Sequence, residues 1–212
     1  MTPALINMAY MPPVHYMAAI SRVSDVYIEI METYRKQTCR NHCEIYGPNG
    51  KQTLTIPVIK VNGNHTLTKD IRISRHQPWQ KIHWRSIKTA YNNSPFFLYY
   101  EDYFAPFYEK QYEFLIDFNF ALLEQILSVL KIPVNLHFTE TFNKVVVGYD
   151  DLREKPDDKN AKLLMHTEHY IQVFEPSHGF LSGLSILDVI FNLGPESASY
   201  LYIVKNGIKQ RF

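Results

Sequence analysis

The residues best suited to chemistry are concentrated in residues 34–45, which read YRKQTCRNHCEI. Lys36 and Arg40 are cations of the kind that hold a phosphate or a carboxylate. Asn41 and His42 stand directly beside them and can donate or accept hydrogen bonds. These residue types at this spacing predict a site for an anionic ligand.

The charge of the chain is distributed very unevenly. Residues 35–88 hold eleven Lys or Arg and two Asp or Glu, which gives this stretch a net charge of +9. Since the whole chain sums to +1, the remaining residues carry −8. This asymmetry indicates an anionic partner, although a solvated basic face would produce the same pattern.

Length and composition indicate a globular protein. The 212 residues can bury a sizeable core, and we treat residues 1–212 as one domain. Cys39 and Cys43 are too few for a disulfide framework or a cysteine-based zinc site, so we expect both to be reduced. The N-terminal residues show no signal-peptide pattern and no apolar run approaches about 18 residues, so we expect a soluble, cytoplasmic protein without a membrane span.

The first thirty residues have the pattern of a β-α-β unit. Residues 4–9 form an apolar run, and the prolines within Tyr10-Met11-Pro12-Pro13 end the strand that it predicts. His15 then precedes a helical pattern over 16–23, and residues 25–30 alternate as a strand. We therefore expect an α/β fold with a Rossmann-like unit, whose ligand lies beyond the carboxyl end of the first strand. A histidine in this position weakly resembles the nucleotidylyltransferase-like folds, without their glycine-rich helix entry.

An inserted hairpin region follows this unit. The turn Gly47-Pro48-Asn49-Gly50 separates residues 43–46 from 52–56, which predicts two antiparallel strands. Residues 67–73 are expected to form a further strand with a basic outer face.

A helix is predicted to open at Pro78, and it places His83 on its apolar stripe. A neutral imidazole near the cations of this helix is a candidate general base, as is His15 in the earlier loop. The simpler alternative for His83 is a hydrogen-bonded histidine of the core.

The longest helical pattern runs over residues 106–132, with Asn119 in the middle of its apolar face. Such a buried amide costs about 1–3 kcal/mol unless it finds partners. Asn119 therefore either bonds to neighbouring backbone or lines a pocket.

The last part of the chain combines a polar stretch with a strand and a helix. Residues 148–168 are expected to form a surface loop or lid, and residues 171–174 a short strand. Ser185 then caps a helix that ends at Gly194, with Asp188 at the third position of a capping box. Asp188 either completes that cap or orients a substrate.

Familiar chemical motifs are absent from the sequence. It contains no P-loop, GxSxG, HExxH or GxGxxG motif, and it does not identify a cofactor. His166 and His169 are close in the sequence, but no plausible third ligand accompanies them, so we predict no metal site. The aromatic side chains of Tyr46, Trp79 and Trp84 could stack on the bases of a nucleic acid beside the basic residues. No RNA- or DNA-binding motif supports that alternative.

Five blocks together resemble the WbqC-like family of bacteria over about residues 5–195. They are YMPPVHYMAAISRVSDVYIEI, KQTCRNHCEIYGPNGKQTLTIPV, WQKIHWRSIKTAYNNSPFF, YEDYFAPFYEKQYEFLIDFN and QVFEPSHGFLSGLSILDVIFNLGP. The resemblance implies a role in O-antigen (lipopolysaccharide) gene clusters, as a transferase that places an aminoacyl group such as glycine on a sugar. The positions that match the family are Tyr10, Pro12, Asp25, Lys36, Asn41, Pro57, His83, Trp84, Tyr91, Asn119, Asp188 and Asn192.

The chain departs from the family pattern at Asn7, where glutamine is common, and at His42, where arginine is common. The loss of an arginine would weaken bidentate recognition of an anion.

These features lead to one hypothesis for the site. The Tyr10–His15 loop, the Lys36–His42 segment and the His83 helix would form one pocket for an anionic small molecule, such as a nucleotide sugar or an activated amino acid. His83 or His15 would be the base, and Tyr10, Trp84, Asn119 and Asp188 would contact substrate. The alternatives are a binding module for an anionic carrier or RNA and a nucleotidylyltransferase-like enzyme.

Overall fold

A computed structural model of the chain describes residues 2–153 and 167–204. The helices are α1 (Val14–Ile20), α2 (Trp79–Tyr91), α3 (Phe97–Phe104), α4 (Leu115–Leu130), α5 (Glu175–His178), α6 (Ile186–Leu193) and α7 (Ser197–Ile203). The strands are β1 (Ala4–Asn7), β2 (Asp25–Glu29), β3 (His42–Gly47), β4 (Gly50–Thr55), β5 (Val58–Ile59), β6 (Arg72–Ile73), β7 (Asn135–Phe138) and β8 (Asp150–Asp151). Short 3-10 helices cover Gly63–His65, Thr68–Asp70, Ala105–Tyr108 and Gly194–Glu196.

The main sheet has four parallel strands in the order β7-β2-β1-β8. Ala4 pairs with Val26 and Asn7 with Glu29, so the carboxyl ends of β1 and β2 lie level at one edge. The chain adds β2 and β7 on one side of β1 and then places β8 on the other side. The predicted α/β class is thus confirmed, with α1 connecting two parallel neighbours.

The two smaller sheets are antiparallel ribbons. Strands β3 and β4 form the predicted hairpin, in which Gly47 pairs with Gly50 across the turn. Strands β5 and β6 form the other ribbon. The core that supports all three sheets includes the apolar faces of α2, α4 and α6.

The prediction of one helix over residues 106–132 is wrong. Residues Ala105–Tyr108 form a 3-10 helix, and α4 begins only at Leu115. Between them the backbone pairs with the end of β6, because Ile73 N donates to Glu113 O at 2.9 Å and Leu115 N donates to Ile71 O at 2.9 Å. These tertiary hydrogen bonds override the helical periodicity of the sequence.

The predicted strand over 67–73 is also shorter than expected. Thr68 N donates to Glu32 O and Lys69 N to Ile30 O, which draws this segment into a 3-10 turn against the end of β2. Only Arg72 and Ile73 remain as β6.

Near the end of the chain, one prediction is wrong and one is only partly covered by the structure. Residues 171–174 form no strand, and the Gln172 side chain instead bonds to both the N–H and the carbonyl of Leu181. The predicted loop over 148–168 lies largely outside the described residues, and within it Asp150 and Asp151 form β8 rather than a loop.

Helix α6 begins as predicted at Ser185, whose side chain accepts a hydrogen bond from Leu187 N. It ends at Leu193, where Gly194 has a φ of +54°. A Cβ at Gly194 would lie only 2.5 Å from the ring of Phe96. The glycine is therefore required for two reasons, backbone conformation and space.

We expect Gly194→Ala to lower the free energy of unfolding by about 2–4 kcal/mol, the sum of left-handed strain and overpacking. Gly63 provides a matched control, because its φ is +49° but nothing lies within 4 Å of its Cβ position. Gly63→Ala should therefore cost only the strain, about 1–2 kcal/mol. Urea denaturation of both variants measures the difference, and equal losses would contradict the role of Phe96.

Candidate functional site

The loops that follow β1 and β2 meet at the carboxyl edge of the sheet. Tyr10 N donates to Cys39 O at 2.8 Å, which joins the proline loop to the basic segment as the sequence predicts. Each loop holds a residue with positive φ, Met11 at 41° and Gln37 at 56°. Such strained positions occur preferentially at functional sites. We call this region the loop junction, defined by residues 8–13 and 32–41.

A buried ion pair occupies the loop junction. Arg40 is fully buried, and its Nε and Nη2 atoms lie 2.7 and 2.6 Å from Oε1 of Glu32. Asn7 Nδ2 donates to the same oxygen at 2.8 Å. The charge of Arg40 is thus neutralised inside the protein, and a ligand anion would have to displace Glu32 to reach it.

Two predicted site residues, Asn41 and Asn119, flank Arg40. Asn119 Nδ2 donates to the Arg40 carbonyl at 2.8 Å, and Asn41 Nδ2 donates to the Ile56 carbonyl at 2.9 Å. These bonds fix the orientation of both amides, since a carbonyl can only accept. Both amide oxygens are buried and form no hydrogen bond with the described part of the chain. They are acceptors that a hydrogen-bond donor could satisfy.

His83 belongs to a buried hydrogen-bonded chain of side chains. Its Nδ1 lies 2.9 Å from the hydroxyl of Tyr10, which in turn lies 2.9 Å from the hydroxyl of Tyr108. Burial lowers the pKa of His83 to about 4, opposed by a hydrogen bond to the backbone of Thr55. His83 is therefore neutral at physiological pH, and it fastens α2 to β4 and to the loop after β1.

An open cleft of about 580 Å³ lies next to this chain of side chains. We call it the aromatic cleft, because its walls include Trp79, Trp84, Tyr108 and Tyr112. The rings support one another: Trp84 stacks on Tyr108 with centroids 5.4 Å apart. The polar side chains around it are Arg75, Gln77, Gln80, Lys81, Glu109 and Gln111.

The aromatic cleft is held open by contacts between α2 and the connection to α4. Gln80 Nε2 donates to the carbonyls of Phe107 and Lys110, at 3.1 and 2.6 Å. Trp79 packs edge-on against Phe118 of α4. The cleft is thus a preformed space between packed elements, the usual form of a small-molecule site.

The structure brings some of the predicted site residues together and separates others. Tyr10, His83 and Trp84 lie at or directly behind the aromatic cleft, and Arg40, Asn41 and Asn119 lie together in the loop junction. Lys36 is an exposed residue of the loop junction, and His42 is half-buried in β3.

Asp188 and His15 lie outside these two regions. Asp188 is buried, and its Oδ2 accepts from the Tyr170 hydroxyl at 2.5 Å and from Gln172 Nε2 at 2.8 Å. His15 lies in the first turn of α1 and not, as predicted, in the loop before it, and it lines a smaller pocket of about 140 Å³ that also includes Glu44 and Lys51.

Arg75, Tyr108 and Tyr112 line the aromatic cleft but were not predicted from the sequence. A signal for one wall was present, because Gln77, Gln80, Lys81 and Trp84 follow helical i, i+3, i+4 and i+7 spacing. The opposite wall comes from a segment whose path depends on tertiary pairing with β6, so spacing alone could not reveal it.

Residues 2–153 and 167–204 hold neither a cluster of metal-ligating side chains nor a helix that could span a membrane. No group of three or more His, Cys, Asp or Glu side chains in these ranges is arranged to hold a metal ion. No helix in the same ranges has the length and apolar character needed to cross a bilayer.

Comparison with known proteins places the chain in a family. It is 27% identical to the uncharacterized protein Rv1507c of Mycobacterium tuberculosis over 223 residues, which cover 93% of this chain and 96% of that protein. No solved structure matches the chain. The profile of the WbqC-like protein family matches residues 8–154, which include both the loop junction and the aromatic cleft. The chain therefore belongs to the WbqC-like protein family.

Proposed function

We propose that the protein is a transferase of bacterial surface-polysaccharide precursor synthesis, which moves an activated aminoacyl group such as glycyl onto a sugar. In this reaction the amine or hydroxyl of the sugar forms a bond to the acyl carbon of the donor. The bond from that carbon to the leaving group breaks, the leaving group departs with the electron pair, and the proton of the acceptor passes to a base.

The observation that carries this proposal is the aromatic cleft with its cations. A cleft of about 580 Å³ is large enough for a substrate of nucleotide size. Arg75 and Lys81 are exposed at its rim and supply the positive charge that an activated, anionic substrate requires. The resemblance to proteins of O-antigen gene clusters supports the same class of reaction.

In this proposal the anion is bound by Arg75 and Lys81 and not by Arg40, which the sequence favoured. Arg40 forms an ion pair with Glu32, whereas Arg75 and Lys81 line the cleft. His83 stays a candidate base that is connected to the cleft wall through Tyr10 and Tyr108.

A second candidate function is a binding module for RNA. Trp84 and Tyr112 present aromatic rings beside cations, the combination that binds single-stranded nucleic acid by stacking and charge. RNA binding should weaken steeply with salt, in proportion to the phosphates contacted, whereas a small nucleotide should respond far less.

We expect the purified protein to transfer an aminoacyl group from an activated donor to a nucleotide-linked or free sugar, detected as a mass gain of one amino-acid residue. Trp84→Ala should lower the rate by at least about tenfold, because it removes a wall of the cleft. Tyr99→Ala is the matched control, since Tyr99 is an aromatic residue on α3 that is 74% exposed and lies outside the cleft.

Circular dichroism of both variants separates loss of folding from loss of binding. The proposal is contradicted if no donor produces a product, or if Trp84→Ala and Tyr99→Ala react equally fast. Salt-sensitive binding of RNA without transfer would favour the binding module.

A further inference from the structure

The aromatic cleft contains three kinds of recognition chemistry in one continuous space. Aromatic rings come from Trp84 and Tyr112, cations from Arg75 and Lys81, and side-chain amides from Gln77 and its neighbours. One face of Trp84 stacks on Tyr108, and Lys110 Nζ lies over Tyr112, so each ring can offer a ligand its remaining face. A ligand that uses all three must have a flat or apolar face, a strongly anionic part and a part rich in hydroxyl groups.

The two cations are available to a ligand. Arg75 and Lys81 form no ion pair or hydrogen bond within the described residues. Other cations of this chain do have carboxylate partners: Arg72 lies 2.9 Å from Glu113, and Lys88 lies 3.4 Å from Glu101. Two unpaired cations at the rim of one cleft match the spread charge of a diphosphate better than the single charge of a carboxylate.

The amides are available as well. Gln77 and Gln111 are exposed and form no hydrogen bond within the described part of the chain, and Gln80 uses only its N–H groups, which leaves its oxygen free. An amide both donates and accepts, as adjacent hydroxyls of a sugar require. The carboxylate of Glu109 adds an acceptor for such hydroxyls. Its negative charge repels phosphates, which favours a ligand orientation with the phosphates away from Glu109.

We propose that the aromatic cleft binds a nucleoside diphosphate sugar, with the base on the aromatic faces of Trp84 and Tyr112. The diphosphate lies against Arg75 and Lys81, and the sugar contacts Gln77, Gln111 and Glu109. An activated amino acid without a nucleotide would use at most one of these three parts.

This inference rests on the proposed function and makes it more specific. The sugar that accepts the aminoacyl group is then still attached to its nucleotide. A nucleotidyl-transfer reaction, in which a sugar phosphate displaces pyrophosphate from a nucleoside triphosphate, must first join the sugar to its nucleotide. A reaction that transfers the glycosyl or the sugar-phosphate group, with a nucleotide as the leaving group, must consume the product.

Tryptophan fluorescence offers a direct test, because the two tryptophans of the chain both line the cleft. We expect UDP-glucose, UDP-N-acetylglucosamine or a GDP-linked sugar to give a saturable change, with weaker binding of the matching nucleoside diphosphate. The matching nucleoside and inorganic pyrophosphate should each bind at least about tenfold more weakly than the complete ligand, since each retains only one part.

Isothermal titration calorimetry of variants shows which residues contact each part of the ligand. Arg75→Gln and Lys81→Gln should each weaken binding about tenfold or more, whereas Arg85→Gln should leave it unchanged. Arg85 is the matched control, an exposed cation on the same helix as Lys81 that does not line the cleft. Gln77→Ala with Gln111→Ala should weaken binding of the nucleotide sugar but not of the nucleoside diphosphate.

Two results would overturn the inference: no saturable change with any of these nucleotides at millimolar concentration, or equal affinity in Arg75→Gln and Arg85→Gln. The proposed transferase would still stand if transfer to a sugar without a nucleotide were observed. Conversely, nucleotide-sugar binding without aminoacyl transfer would retain the inference and reject the proposed reaction.

Discussion

Arg40→Ala should lower the free energy of unfolding by about 3–5 kcal/mol, because it leaves the carboxylate of Glu32 buried without its cation. The side chain of Arg40 is 0% exposed and that of Glu32 is 10% exposed, so water cannot replace the lost partner. Asn7 and Thr68 would remain as donors to the same oxygen, at 2.8 and 3.5 Å, and two neutral hydrogen bonds do not compensate for the loss of the cation. Urea denaturation at neutral pH measures the loss.

Two single substitutions and one double substitution serve as controls. Lys36→Ala removes an exposed cation of the same segment and should change stability by less than about 0.5 kcal/mol. Arg72→Ala breaks an exposed ion pair with Glu113 and should cost at most about 1 kcal/mol. The pair Arg40→Met with Glu32→Gln should recover most of the loss, since no buried charge remains. A loss below about 1 kcal/mol for Arg40→Ala would contradict the role of Arg40 as the cation that neutralises a buried Glu32.

Asp188 should make the protein less stable as the pH rises from about 4 to above 6. Burial raises the pKa of its carboxyl to about 6, above an ordinary value of 3.8. The folded state therefore holds this proton more tightly than the unfolded state, and the stabilisation is complete below pH 3.8 and lost as the pH passes 6. The difference corresponds to about 3 kcal/mol.

The measurement is the free energy of unfolding against pH for the wild type and Asp188→Asn. The difference between the two curves should change by about 2–3 kcal/mol between pH 4 and pH 7, with the wild type losing stability. Asp117→Asn removes an exposed carboxylate from α4 and controls for the general effect of replacing an aspartate by an asparagine. A flat difference curve for Asp188→Asn would show that Tyr170 and Gln172 fully stabilise the charged carboxylate.

Local sequence signals were sufficient to predict the elements that depend on interactions between residues close in the sequence. The glycine-containing turn specified the hairpin of β3 and β4, and Ser185 with Gly194 bounded α6. Strands β7 and β8 were missed because they are short and gain their stability from parallel pairing with residues more than a hundred positions away.

The candidate site could be predicted only in part, for the same reason. The sequence indicated that Tyr10, His83 and the Lys36–His42 segment belong to one region, and the bond between Tyr10 and Cys39 joins these loops. It could not indicate that Arg40 is paired with Glu32, since both are charged residues in a basic loop. Burial of individual side chains depends on tertiary packing that no local pattern contains.

The strand order has a consequence for how the chain folds during synthesis. Strand β1 is made first, yet its neighbour β8 begins only at Asp150, and Arg22 bonds to the carbonyls of Leu201, Tyr202 and Val204 at the end of α7. At about 5–20 residues per second, the ribosome needs roughly 7–30 s to make β8 after β1. During that time one edge of β1 stays unpaired by the chain itself, so we expect nascent chains shorter than about 150 residues to depend on chaperones for protection from aggregation.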